Sequence, residues 1–484
     1  MPPKKSFPQL SKIQEVELID DLSQWALGNG LVMYPKDFKP YNAAYAPVTL
    51  FPTPFPRSQF EKGIEVAEKF GELYAKVTSN YEWLSKAIEE LSQFDKGFTG
   101  KLWEVYLKAR EFGIVQTKSL GLFRSDYMLD TANGEERIKQ VEFNTVSISF
   151  GGLSSKVGEL HSFLNSKGDY SSDKGNYYRD EDLPVSDSIK GLSEGLAQGV
   201  RYYESSESVK DTVVLFVVQH NERNVFDQRL LEYELLKSGI KSKRLTLSEV
   251  ESSTAIDEAT RALKLKSTGQ TISVVYYRSA YAPYEFTSEK DWHARYYLEI
   301  TRAVKCPSLL TQLSGAKKIQ QVLTSKAVLG QFLDKESIDT LHDTFVAIHP
   351  MDDSEEGLAA QKLAFAEPER FVLKPQREGG GNNIYKQNIP EFLEGLPKSE
   401  WPGYILMELI HPPTLKNKIL RDGVIIEEGI LCELGIFNTV LFDESDGQIL
   451  YNKAAGYLLR SKTSSSDEGG VAAGFGCVDS VYLY

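Results

Sequence analysis

The stretch Phe371-Val372-Leu373-Lys374-Pro375-Gln376-Arg377-Glu378-Gly379-Gly380-Gly381-Asn382-Asn383-Ile384-Tyr385 carries more chemistry than any other part of the chain. An apolar run of strand character delivers Lys374. Three consecutive glycines then leave backbone N–H groups free of side chains, so that phosphate oxygens can approach closely. No Gly-Lys-Ser/Thr follows and no helical pattern begins there, which excludes a Walker A loop. A bare triple glycine also reads as a hairpin turn, because glycine is the default turn residue. The flanking Lys374, Arg377 and Glu378 move the reading toward function: a lysine neutralises phosphate and a carboxylate holds Mg2+, which together are what a nucleotide site needs.

Upstream, Gln140-Val141-Glu142-Phe143-Asn144-Thr145 alternates with period two. That period predicts Glu142 and Asn144 on one strand face and Val141 and Phe143 on the other. A carboxylate and a carboxamide oxygen side by side suit Mg2+, which takes one or two protein oxygens and leaves the rest to phosphate and water; a solvated strand face is the other reading. Asn133-Gly134 sits between two alternating runs and predicts a hairpin with strands near 121–130 and 137–149. Ser147, Ser149, Gly151 and Gly152 then run into a small-residue loop able to approach a ligand. Downstream, Arg460 and Lys462 precede Asp467-Glu468-Gly469-Gly470-Val471-Ala472-Ala473-Gly474, which reads as a loop closing over a substrate or as a disordered turn. The return of apolar residues at Val478 and Val481 favours the loop.

Residues 1–110 read as helices broken by Phe51-Pro52-Thr53-Pro54-Phe55-Pro56, with Ser58 and Glu61 spaced as a capping box before an apolar helical stripe. The buried-strand run 213–218, a helical spacing from Phe226 to Leu236 and a strand at 272–277 predict a βαβ unit, and so an inserted α/β domain at 209–316. From Phe371 onward, turns rich in Gly, Asn and Pro predict mostly short strands.

Composition sets the bounds. The chain has 484 residues, 41% of them hydrophobic and 25% charged, with 55 Lys+Arg against 68 Asp+Glu and a formal net charge of −13. That is an ordinary globular balance, not a disordered one. The acidic sum speaks against a protein that coats nucleic acid or an anionic membrane. Three scattered cysteines, Cys306, Cys432 and Cys477, carry no Cys-x-x-Cys spacing and read as a reducing compartment without structural zinc. The longest aliphatic-aromatic run, 213–218, falls far short of the ~20 residues a membrane span needs. Met-Pro-Pro-Lys-Lys leads into no apolar signal region, so the expected location is cytoplasmic. The six histidines form no metal-binding pair, and no Gly-x-Ser-x-Gly, Asp-Phe-Gly or His-Arg-Asp is present. An α/β-hydrolase and a protein kinase are therefore disfavoured. The surviving chemistry uses no protein nucleophile and is run by cations and Mg2+ on a nucleotide.

Gly-Leu-Phe-Arg-Ser-Asp-Tyr (121–127), Glu-Phe-Asn-Thr-Val-Ser-Ile-Ser-Phe-Gly-Gly (142–152), Asn-Glu-Arg-Asn-Val-Phe-Asp-Gln-Arg (221–229), Gln-Leu-Ser-Gly-Ala-Lys-Lys (312–318), the 371–385 stretch, Met-Glu-Leu-Ile (407–410) and Gly-Gly-Val-Ala-Ala-Gly (469–474) stand in this order along the chain. In them the sequence resembles the eukaryotic glutathione synthetases, members of the ATP-grasp ligases, over nearly its whole length. The resemblance implies an α/β ATP-grasp fold: an N-terminal helical and ATP-grasp portion (1–208), an inserted substrate-binding domain (209–316) and a second ATP-grasp portion (317–484). It implies a homodimer that joins γ-glutamylcysteine to glycine through an acyl phosphate, releasing ADP and phosphate, with no nucleic acid or membrane partner. Another small amine in place of glycine, or a small-molecule kinase on the same scaffold, are the alternatives.

The same resemblance assigns residues. Glu142, Asn144 and Glu378 would hold Mg2+. ATP would meet Lys317, Lys374, Glu378, Gly379, Gly380, Gly381, Asn382, Asn383, Tyr385, Lys462 and the adenine strand Met407, Glu408, Leu409 and Ile410, with Glu433 at the ribose. The dipeptide and glycine would meet Arg124, Ser147, Ser149, Glu222, Arg223, Asn224, Gln228, Arg278, Tyr281, Arg460, Val471 and Ala472, and Arg124 and Arg460 would serve the reacting centre. One departure is Ala280, where the family commonly has glycine.

Overall fold

The computed structural model describes residues 7–172, 175–376, 382–466, 470–471 and 474–484. Two sheets organise it. In the larger, of thirteen strands, the path runs 241–245, 213–217, 271–277, 304–306, 118–130, 424–443, 415–421, 48–49, 476–479 and 449–463. The strands of the 209–316 segment are mutually parallel along this path and join strand Lys118–Asp130 in parallel through Lys305↔Ser119. Beyond that strand the pairing turns antiparallel, except that 476–479 joins 48–49 in parallel. The last strand of the path returns to pair with 424–443, so 424–443, 415–421, 48–49, 476–479 and 449–463 close on themselves.

Strand Val213–Val217 is apolar throughout because both of its faces are covered. Leu215, Val217, Val275 and Tyr277 join Phe70, Tyr74 and Phe143 in one core. Val214, Phe216, Val274 and Tyr276 join Leu153, Leu192 and Leu196 in a second core on the other side. Helix Ser188–Glu207 covers the second side along both the parallel and the antiparallel strands, and helix Arg57–Ser79 covers the first side over the antiparallel strands. Strands Ile348–Pro350, Tyr404–Glu408, Phe371–Pro375 and Ile384–Tyr385 form the smaller, antiparallel sheet. One of its faces carries Phe371, Leu373 and Leu406 against Ala360 and Leu393 of the helices Glu355–Ala366 and Asn388–Glu394. The other carries Ile348, Val372, Ile405 and Met407.

Several expectations change. The hairpin forms at Asn133-Gly134, with Gly134 at φ 77, but its second strand ends at Asn144. Ser147 and Phe150 adopt φ 51 and 68, which no strand continues through, and Gly151-Gly152 opens helix Gly151–Lys167 instead of lying in a loop. Val141 does not share the buried face of Phe143. Asp126 pairs with Glu142 while Tyr127 pairs with Gln140, so Val141 is the extra residue of a bulge, and Gln140 takes the buried place. The Ser58–Glu61 capping box does not form: Pro56 occupies the N-cap without a side-chain hydrogen bond, which leaves Ser58 inside the helix. The last third holds strands of 20 and 15 residues. Its glycines 429, 435 and 456 lie inside these strands, where neighbouring groups approach closely, and do not end them.

Two buried groups meet at the closing strands. Asp479, fully buried, accepts from the hydroxyls of Thr49, Thr53 and Ser461, each at 2.6 Å, and from the Ser480 N–H at 2.7 Å. Burial pushes its carboxyl from 3.8 up to about 6. His161, also fully buried, contacts Ser480 Oγ at 2.7 Å and the Thr49 carbonyl at 3.0 Å, and burial lowers it from 6.5 to about 4. The raised Asp479 contributes stability that is present below 3.8 and lost as pH rises through about 6. The depressed His161 contributes stability that is present above 6.5 and lost as pH falls through about 4. The two contributions oppose each other between these limits. Asp479→Asn exposes the histidine alone, so on acidification the variant loses up to about 3 kcal/mol more than the wild type does. Urea unfolding at pH 6.5, 5 and 4 checks this, and parallel profiles for the two proteins would refute it.

Candidate active site

Arg124, Arg460, Lys317 and Lys374 come together with Asp126, Glu142 and Glu433, all carried by six elements: strands 118–130, 137–144, 371–375, 424–443 and 449–463, and helix Lys317–Leu323. Strand register does much of the assembly: Asp126 lies opposite Glu142 on one side and Gly435 on the other, and Glu433 lies opposite Arg460. Asp126 is fully buried and accepts from Arg124 Nε at 2.6 Å and Nη2 at 2.8 Å, from Asn144 Nδ2 at 3.1 Å and from Arg460 Nη2 at 3.1 Å. Arg460 also donates to Glu433. Lys317 Nζ donates to Glu142 Oε2 at 2.8 Å, and Lys374 Nζ to the Val141 carbonyl at 2.9 Å, the residue the bulge turns out of the ladder. These last two contacts tie the smaller sheet and its preceding helix to the hairpin.

Burial by itself would raise the Glu142 pKa, but Lys317, Lys374 and Arg124 outweigh it and hold the carboxyl well below its ordinary range. Glu433 is pushed up by burial and by the neighbouring Asp126 and Glu142, against the pull of Arg460. Burial opposes the Arg460 charge, but Glu433, Asp126 and Glu142 prevail and raise its pKa. Among the described residues, the group holds four cations to three carboxylates. Glu433 therefore stands beside Arg460 in the carboxylate group.

A second group adjoins the first through residues 145–150. The Ser149 carbonyl receives Arg124 Nη1 at 3.4 Å, and Ser147 Oγ reaches the Tyr277 and Ser279 carbonyls, each at 3.2 Å. Asp227 accepts from the backbone N–H groups of Phe150, Gly152 and Leu153 at 2.9, 2.7 and 3.1 Å, so it caps helix Gly151–Lys167 from another helix. Its carboxylate stands 3.9 Å from Arg278 Nη2. Glu222 accepts from the Asn224 N–H at 2.7 Å and from Gln228 Nε2 at 3.2 Å. Arg278 and Asn224 are 5% and 4% exposed. Among the described residues, Arg278 Nη1 and Asn224 Oδ1 have no hydrogen-bond partner. Tyr281 bonds Gln219 at 3.1 Å and Tyr284 at 3.2 Å. Arg223 Nε donates to the Tyr34 carbonyl at 3.0 Å.

The remaining expected residues spread along the smaller sheet and the last strands. Met407 is buried with Val372 and Ile405, while Tyr385, Leu409 and Ile410 are partly buried against them. Glu408 pairs with Arg370 at 2.9 Å, and Asn383 Nδ2 donates to the Tyr385 hydroxyl at 3.3 Å. Asn382 is exposed. Lys462 lies two residues past Arg460, hence on the same strand face, and Val471 is buried in the core beside Val48 and Met33. Glu378, Gly379, Gly380, Gly381 and Ala472 lie outside the described residues.

Sequence reasoning passed over Asp126 and Asp227. The first had a signal: Arg124 and Asp126 are two apart on a strand and must share a face. The second had only its place in the Asn221–Arg229 run, since nothing local says that it caps a helix beginning at Gly151.

The family described as "Eukaryotic glutathione synthase, ATP binding domain" matches residues 12–483. The chain is 38% identical over 462 residues to the glutathione synthetase large chain of Schizosaccharomyces pombe, covering 91% of each protein. It is 36% identical over 485 residues to the glutathione synthetase of Homo sapiens, covering 98% of each. Among solved structures, a glutathione synthetase-like effector from Globodera pallida shares the fold, with a TM-score of 0.77 at 22% identity over 99% of this chain and 100% of that one.

Ala280 shows how this chain accommodates its departure. It is buried at φ 69, and its carbonyl accepts from Gln312 Nε2 at 2.7 Å. The left-handed region costs an L-residue about 1–2 kcal/mol. Glycine would relieve that, but it would lose about 0.8 kcal/mol of methyl burial and add roughly 0.5–1 kcal/mol of unfolded-chain entropy. The contributions nearly cancel. Ala280→Gly is therefore expected within about 1 kcal/mol of wild type by urea unfolding, and Ala280→Val, β-branched at positive φ, at least about 2 kcal/mol less stable.

Proposed function

The chain belongs to the eukaryotic glutathione synthetase family, and from that premise we propose that it ligates γ-glutamylcysteine to glycine with conversion of ATP to ADP and phosphate. The observation that carries the reading is the convergence of Lys317, Lys374, Arg124 and Arg460 on one hairpin, where an anionic nucleotide and an anionic dipeptide can share a positive field. Arg278 Nη1 and Asn224 Oδ1, without hydrogen-bond partners among the described residues, add a buried donor and a buried acceptor around Asp227. That pairing suits the carboxylate and ammonium of a γ-glutamyl group.

Arg124 and Ser149 hold the dipeptide's C-terminal carboxylate. Its oxygen attacks the γ-phosphorus and ADP departs. The glycine amine then attacks the acyl carbon, phosphate leaves with the C–O electrons, and the amine's proton is lost. Arg460 and Lys462 face the charge that builds on the tetrahedral centre, while Val471 and Ala472 would supply backbone contacts to the substrate. Lys317 and Lys374 hold the ATP phosphates, residues 379–383 and Tyr385 would contact them, and Met407–Ile410 meet adenine. Serine or β-alanine in place of glycine is the nearest alternative; the curated relatives do not favour a small-molecule kinase.

The donor set fits Mg2+. Asn144 Nδ2 is engaged by Asp126 Oδ2 at 3.1 Å and the Arg124 carbonyl at 3.3 Å, which leaves its Oδ1 as the atom presented, and Glu142 is held ionised. Glu142, Asn144 and Glu378 would hold the ion. Bound there, it would neutralise phosphate charge. No helix among the described residues is long and apolar enough to cross a membrane. A cytoplasmic homodimer, with the 209–316 segment as its substrate-binding portion, completes the proposal.

Coupled ADP release is expected only when γ-glutamylcysteine and glycine are both present, and a panel of small amines ranks glycine first. AMP as product, or turnover independent of the amine, would refute the ligase assignment. Glu142→Gln should lower kcat about 100-fold at saturating Mg2+; an unchanged kcat would remove Glu142 from the ion's ligands.

A further inference from the structure

We propose that Asp126 is a positioning residue for the dipeptide: it orients the guanidinium groups of Arg124 and Arg460 toward the reacting carboxylate without touching any ligand itself. The inference rests on the ligase reading and assigns a role to a residue outside the expected set. Asp126 has no solvent exposure and accepts four hydrogen bonds, about the full capacity of a carboxylate. Two come from Nε and Nη2 of Arg124, which fixes the plane of that guanidinium and directs Nη1 toward the 145–150 segment. One comes from Arg460 Nη2, whose other partner is Glu433. The fourth comes from Asn144 Nδ2 and turns that amide's oxygen outward. One carboxylate thus sets three side chains that face the reaction.

The packing leaves it no alternative position. Gly435 lies across from Asp126, and a Cβ there would stand 2.8 Å from Asp126 Oδ1 and 2.8 Å from Arg124 Cδ. The glycine is therefore part of the device: it gives the ion pair room to lie flat on strand 424–443. A requirement for charge balance alone would be met by any nearby carboxylate; this geometry is met only by an aspartate facing a glycine.

Two variants separate positioning from charge. Asp126→Asn keeps the shape and removes the charge, while Gly435→Ala keeps every charge and displaces the pair. The assay measures kcat and KM for γ-glutamylcysteine, KM for ATP, and the thermal midpoint. Both variants are expected to lose about 10- to 100-fold in kcat/KM for the dipeptide; KM for ATP stays within about twofold of wild type in Gly435→Ala, whereas Asp126→Asn also disturbs the Asn144 amide and moves it further. If Asp126→Asn does not fold, Gly435→Ala decides. The proposal is overturned if the wild type is active and the folded variants keep its dipeptide kcat/KM, or if the dipeptide and ATP constants move together in Gly435→Ala. A wild type without dipeptide-dependent ADP release instead overturns the ligase reading, and this inference with it.

Discussion

A carboxylate sealed from water between two guanidinium groups constrains everything around it. Asp126 lies without solvent exposure between Arg124 and Arg460, and removing one partner of such a buried pair leaves an uncompensated charge worth about 3–5 kcal/mol. Arg124 arrives on the same strand, but Arg460 arrives from a strand more than three hundred residues later, held in register by strand 424–443 between them. The hairpin, the long central strand and its return partner must therefore align to the residue. A one-residue slip would send these charges to the opposite face, into the apolar core that holds Tyr127 and Leu434.

Asp227 performs a related task by different means. Bonding to three backbone N–H groups at the start of helix Gly151–Lys167, it satisfies donors that Phe150, at positive φ, cannot cap. It thereby connects residues 145–150, which border Arg124, to helix Val225–Lys237 and to Arg278. The two halves of the site, one rich in cations and one with an unpartnered donor and acceptor, are thus coupled through backbone and not through side chains alone. Opposite them, Lys317 and Lys374 reach the hairpin from the smaller sheet and its preceding helix.

Much of this was legible in the primary structure, and for identifiable reasons. Lys374 beside a glycine triplet, Glu142 and Asn144 two apart, and Arg460 and Lys462 two apart are local patterns, and local periodicity decides which side chains share a face. The parallel strands at 213–217 and 271–277 were legible because burial on both faces demands an unbroken apolar run. The bulge at Val141 was not, because it depends on the partner strand and leaves no mark in the alternation itself. Nor were the long terminal strands, since a glycine that admits Arg124 and Asp126 reads the same as a glycine that turns the chain.

The net charge of −13 shows where each level of description ends. Composition disfavours a surface that coats polyanions, because that depends on the sum of exposed charge. It is blind to a buried cluster, where cations such as Arg124 and Arg460 act at distances of a few ångströms and their solvation is withheld. The sequence by itself determined which chemical groups were available, the family they resemble and the strands that carry them. Only the tertiary structure decided that Asp126 governs both arginines and that Asp227 caps a distant helix. Those roles arise from contacts between residues far apart in the chain, and no local pattern records a contact that exists only after the strands are in register.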